Sequence, residues 1–232
     1  MENENTLSAV TDSQNQIKIP VKPLVDKNEL KDFYTQGLPK IIRNIFFAPV
    51  EGTYSLFTNR SDKTYFHSLI LIASTAVLYM IIPYLILPSE MRELLGFSFT
   101  IKMGIAACIC MLLVSAVSFL VKMVSGKADF KNELLTGGLC GIPLTLMLFL
   151  FLIAKFFINE DSISDIAFDP TSVIAKGGIF FLFVFYIFLM MINILMQSLR
   201  SGGTKDALRW YISPLGILIA FYLTFKITAS FF

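Results

Sequence analysis

Five separate stretches of this chain are each apolar for about as long as a helix needs to cross a membrane, and they restrict the fold before any other feature is weighed. They run at about 67–87, 101–123, 137–157, 175–196 and 210–231. A hydrocarbon core of about 30 Å takes roughly 20 helical residues. The stretches are continuously apolar where barrel strands would alternate, and a helix satisfies its own backbone inside lipid. The chain is 55% hydrophobic, with 23 Phe and 10 Met against only 16% charged residues. A soluble domain carries about 25% charge and could not hide so much apolar surface. The expected class is all-α: an integral membrane bundle of five transmembrane helices, occupying residues 65–232.

What precedes the first span differs in kind. Residues 1–25 are polar, lack periodic apolar positions and contain Pro20 and Pro23, which predicts a disordered tail with no signal-peptide core. Residues 26–64 read as a cytoplasmic or interfacial amphipathic region. Within it Leu38, Ile41, Ile42, Ile45 and Phe46 fall on one helical face, with Lys40, Arg43 and Asn44 opposite. Pro39 suits a first helical turn, and Pro49 should end the helix, with Tyr54 and Phe57 carrying the apolar surface onward. Two readings stay open for this amphipathic helix. It lies in the interface, setting Lys40 and Arg43 toward lipid phosphates and its apolar residues into the lipid, or it packs on the membrane domain's own underside.

Charge near the span ends gives an orientation. Lys40, Arg43, Arg60, Lys63, Lys122, Lys127, Lys131, Arg200, Lys205 and Arg209 fall on one side, and Arg92, Lys102, Lys155, Lys176 and Lys226 on the other. That two-to-one bias puts the N-terminal region in the cytoplasm and the C-terminus across the membrane. The opposite-side loop holds Glu160, Asp161, Asp165 and Asp169, without the glycine and closing glutamate of a calcium loop, and reads as a solvated acidic loop.

Side chains that usually betray chemistry are sparse. Net charge is +2 with a single His67, so no basic field for nucleic acid and no histidine-built metal site is expected, and no cofactor is indicated. No Ser-His-Asp or Cys-His arrangement can be assembled around that histidine, which argues against an enzyme. Cys108, Cys110 and Cys140 read as small packing residues in apolar surroundings. Lys102, Lys122 and Lys155 stand near span ends, within reach of headgroups, and Lys226, close to the end of the chain, can snorkel outward. The polar residues left inside, Ser74, Thr75, Ser115, Ser118, Asn193 and Gln197, are of the kinds that glue helices together.

Small residues recur at helical spacing. Gly104, Cys108, Ser115 and Ser118 line one side of the second span, and Gly137 and Gly141 form a GxxxG pair at the third. Such stripes let backbones approach, within the bundle or against a second copy or other membrane protein. At the start of the third span, GGLCGIP places Gly138 and Pro143 where Pro143 would occupy a first helical turn without losing a hydrogen bond. The alternative is a broken helix whose freed backbone lines a polar cavity with Gly138, Pro143, Asn193 and Lys226, as transporters use.

The segment FFAPVEGTYSLFTNR before the first span, ADFKNELLTGGLCGIPLTLMLF entering the third, and the five-span layout resemble the Yip1 domain family in its bacterial form. The proline followed by an aromatic residue is matched by Pro49 with Tyr54 or Phe57, and the approach to the third span by Phe130, Leu134, Gly138 and Pro143. The Asp-Leu-Tyr-Gly-Pro segment of eukaryotic members is missing, so their association with Rab-type GTPases is not carried over. The resemblance implies a membrane scaffold or trafficking-type protein without catalysis, in a bacterial cytoplasmic membrane. A carrier of a small molecule or lipid is the alternative reading.

Overall fold

The computed structural model describes residues 27–59, 63–87, 89–124, 128–157 and 170–231. The expected disordered tail and the acidic loop around Glu160 to Asp169 lie outside the described residues. Every regular element among the described residues is helical. We number them α1 (Lys27–Asp32), α2 (Leu38–Phe47), α3 (Glu51–Thr58), α4 (Thr64–Ile86), α5 (Ser89–Val124), α6 (Phe130–Phe157), α7 (Pro170–Ser201) and α8 (Asp206–Phe231). A single π-helical turn, Phe33–Gly37, joins α1 to α2.

Five helices, α4 to α8, are long and apolar enough to cross a membrane, and the protein is a polytopic membrane protein. Their outward surfaces fit that solvent. Phe181, Leu182, Phe185, Tyr222 and Phe225 are exposed on α7 and α8, a display that water would penalise and acyl chains do not. Helical continuity carries most spans past the apolar stretch that announced them. At the third, α6 begins at Phe130 instead of residue 137. Pro143 therefore stands well inside α6 and not in its first turn. Lacking an amide hydrogen, it leaves the carbonyl of Leu139 without the usual helical donor. In α5 the break falls at Gly96, whose φ of 64° is a left-handed conformation that glycine adopts without steric cost.

The bundle is built in two layers. Helices α4, α5 and α6 pack mutually as a triangle, while α7 packs on α6 and α8, and α8 on α5. Met111, Val114, Leu139, Cys140, Ile194, Leu195, Leu199 and Ile217 fill the interior. Glycines allow the triangle to close. A side chain at Gly137 would run into the carbonyl oxygen of Met111, and one at Gly141 would begin 2.5 Å from Thr75 Oγ1. At Gly104 the obstacles are Met80 and the Ala76 carbonyl of α4. Polar glue between α4 and α6 is sparse: Tyr79 Oη donates to the Leu144 carbonyl at 3.0 Å, and Thr75 and Thr145 hydroxyls stand 3.4 Å apart.

The N-terminal helices fold against one end of this bundle. Phe33 is buried and its ring lies 4.8 Å from that of His67 in the first turn of α4. Helix α2 stops at Phe47, as Pro49 requires, and α3 packs along the last turns of α7. There Asn193 Nδ2 donates to the Pro49 carbonyl at 2.6 Å, Arg200 pairs with Glu51 at 3.0 Å, and the Arg200 guanidinium sits 4.4 Å over the Tyr54 ring.

Candidate functional site

The most unusual chemistry in the protein lies where α5 ends and α6 begins. Lys122 is in the last turn of α5 and Glu133 in the first turn of α6, so the short connection between these antiparallel helices brings their side chains to one depth. Lys122 Nζ lies 2.8 Å from both carboxylate oxygens of Glu133, and both side chains are only 2% exposed. Hydroxyls complete the shell. Ser118, one turn before Lys122, donates to Glu133 Oε2 at 2.6 Å, and Ser198 of α7 receives a hydrogen bond from Lys122 Nζ at 2.9 Å. Ser198 is also 3.0 Å from the Ser118 hydroxyl and 2.7 Å from that of Thr136. The lysine stem is sealed by backbone: a Cβ at Gly202 would fall 2.9 Å from Lys122 Cγ and Cδ. Phe57 of α3 presents its ring 5.9 Å from the ammonium.

Two opposite charges held this way need no headgroup. Removing them from water costs several kcal/mol per ion, offset only when the partner and the remaining donors and acceptors are all in place. Each of those conditions is met here by a different helix, so the cluster ties α5, α6 and α7 together at a single point. This overturns the expectation that Lys122 reaches the headgroups: it is buried. Ser118, expected both as a small packing residue and as polar glue between helices, is a hydrogen-bond donor to the buried carboxylate. Sequence reasoning missed Glu133 and Ser198. The available signal was a carboxylate eleven residues beyond a lysine, across a connection short enough to place both at the same depth.

The other expected site residues separate. Gly104, Gly137 and Gly141 are consumed in the contacts among α4, α5 and α6, which leaves none of the three open to a second copy of the chain. Ser115 is buried and bonds back to the Met111 carbonyl, while Cys108 is half-buried. The four residues expected around one polar cavity do not meet. Gly138 faces the backbone of Ser68, and Pro143 is buried within α6. Asn193 is bonded to Pro49, and Lys226 is exposed on α8. Pro143 sits in a continuous helix and not at a break. Lys155 is exposed and donates to the Leu85 carbonyl of α4 at 3.1 Å.

The amphipathic helix divides its residues between two environments. Ile41 and Ile45 of α2 are buried in the protein core, so they do not reach lipid; Leu38 and Phe46 are half-buried; Lys40, Ile42 and Arg43 are exposed. Docking on the bundle's end takes the middle of the apolar stripe, because that end offers the apolar residues Leu135 and Leu139 beside Ile41. No protein-family model matches the chain, and no curated protein and no solved structure matches it either.

Proposed function

We propose that the protein is a non-enzymatic, membrane-organising scaffold of the Yip1 type, seated in a bacterial cytoplasmic membrane with its N-terminal region in the cytoplasm and its C-terminus on the far side. The closure of the α4, α5 and α6 triangle carries the reading. Backbones brought together at Gly104, Gly137 and Gly141, with Cys140 fully buried between them, make a solid body whose outer faces are left for other molecules. The Lys122–Glu133 cluster adds to that rigidity by fixing α7 to the same body. The basic set Lys40, Arg43, Lys63, Lys131, Arg200, Lys205 and Arg209 supports the orientation. The loose match at Pro49, Phe130, Leu134, Gly138 and Pro143 supports the family.

The competing reading, a carrier for a small molecule or lipid, asks for a polar path at mid-membrane depth. Its four residues point to four different surroundings, and Tyr79 and Thr75 close the seam between α4 and α6 at that level.

Two measurements on the full chain decide between them. Isolation in mild detergent followed by mass spectrometry should recover a reproducible protein partner or a defined homo-oligomer. A water-soluble maleimide should leave Cys140 unmodified from either side of the membrane. A monomer without protein partners whose Cys140 is labelled from one side would replace the scaffold reading with the carrier.

A further inference from the structure

Beneath the N-terminal helices, between α2, α3 and the first turns of α4 and α6, lies a cavity of about 220 Å³ that is separate from the buried ion pair. Its chemistry is two-sided. Leu135 and Leu139 of α6, both buried, form an apolar floor. Lys40 and Asn44 reach it from α2, Asn59 from the end of α3 and His67 from α4. Among the described residues none of those four side chains has a hydrogen-bond or ion-pair partner, although the His67 ring rests against Phe33. Among the described residues neither aspartate nor glutamate lines the cavity; Glu29, close enough to act on His67, is paired with Lys63 at 3.0 Å.

Unused donors that converge from three separate elements on one pocket, with a cation among them and no carboxylate among its described lining residues, describe a receptor for an anion. The size is informative as well. Pockets for whole drug-sized ligands run from about 300 to 1,000 Å³, so this one suits a single compact group with the rest of its molecule outside. A tetrahedral phosphate presents several acceptor oxygens to donors arriving from different directions, which a flat carboxylate does less well, and an ammonium meets phosphate as a point charge. We propose that this cavity binds a phosphate group through Lys40, Asn44, Asn59 and His67. The apolar floor and the position at the end of the bundle suit the phosphate of a phospholipid whose tails run along the neighbouring helices; a soluble phosphate ester shares the same chemistry. The site goes beyond the scaffold reading and does not depend on it.

The test uses the full-length protein, delipidated in detergent, with two probes. Phosphatidylglycerol binding is followed by native mass spectrometry, and inorganic phosphate by the shift in thermal unfolding. Lys40→Met and Asn59→Leu remove donors whose side chains are exposed, so folding is preserved; Lys205→Met removes an equal charge elsewhere. One phosphatidylglycerol should stay bound to the wild type, Lys40→Met should weaken it on the order of tenfold, which is the loss of one charge-assisted contact, and Lys205→Met should leave it unchanged. A response to the lipid alone assigns the headgroup as the source, and stabilisation by phosphate alone assigns a soluble ester; both support a phosphate site. Equal binding by wild type and Lys40→Met, or equal binding of a diacylglycerol that has the tails without the phosphate, overturns the proposal.

Discussion

Replacing the buried pair one partner at a time, and then together, gives a prediction with a large and signed magnitude. At 2.8 Å and an effective dielectric of about 20, the attraction between Lys122 and Glu133 is about 6 kcal/mol. The desolvation of two ions consumes most of it, so the pair as a whole contributes little. A single substitution breaks this balance. Lys122→Met leaves a carboxylate and Glu133→Leu leaves an ammonium, each sealed among α5, α6 and α7, and each should cost about 3 to 5 kcal/mol. The double variant abandons no charge. Its hydroxyls remain satisfied, because Ser198 is within 3.0 Å of Ser118 and 2.7 Å of Thr136 without help from the ions. It should fall within about 2 kcal/mol of the wild type, so the coupling from the double-mutant cycle should reach about 4 kcal/mol or more. The assay is reversible unfolding by SDS titration in mixed micelles, followed by far-ultraviolet circular dichroism. Additive effects, with each single variant costing about 1 kcal/mol or less, would show a pair that behaves as a hydrated surface bridge and would refute the sealed cluster.

Four further outcomes are expected from the same unfolding assay. Gly137→Ala should lose about 1 to 3 kcal/mol, because its methyl would enter the Met111 backbone and overpacking exceeds the helix-propensity gain of about 1 kcal/mol. Gly178→Ala, where nothing lies within 4 Å, should be neutral or gain up to about 1 kcal/mol, and a loss there would contradict the open surroundings on α7. Thr53→Val should cost no more than about 0.5 kcal/mol, since the Thr53 hydroxyl is buried without a partner, and a loss above about 1.5 kcal/mol would reveal one. Glu51→Gln should cost under about 1 kcal/mol and lose its effect in high salt, because Glu51 is exposed and Arg200 keeps the Tyr54 ring.

What could be read from the sequence follows from how each signal is generated. Five spans were legible because bilayer thickness acts on every residue of a span at once, and no tertiary detail can reverse a run of twenty apolar side chains. Their ends were less so: α6 begins at Phe130, and residues 130–136, which carry Lys131 and Glu133 beside the helix-favouring Leu134 and Leu135, are counted by hydropathy as loop. The amphipathic stripe of α2 was legible as a stripe, yet apolar periodicity is the same whether the stripe meets lipid or Leu135 and Leu139. The glycines announced close approach, and only the packing of α4 against α5 and α6 identifies the neighbour. Lys122 marks the sharpest limit. A lysine one turn from a span end has two ways to avoid lipid, extending to the headgroups or finding a counter-ion at its own depth, and the two have the same hydropathy. Glu133 decides between them, because a helix pair joined by a short connection places its last and first turns side by side, and a carboxylate there removes the need to snorkel. A search for opposite charges mirrored across short inter-span connections would therefore find such clusters where hydropathy averages them away.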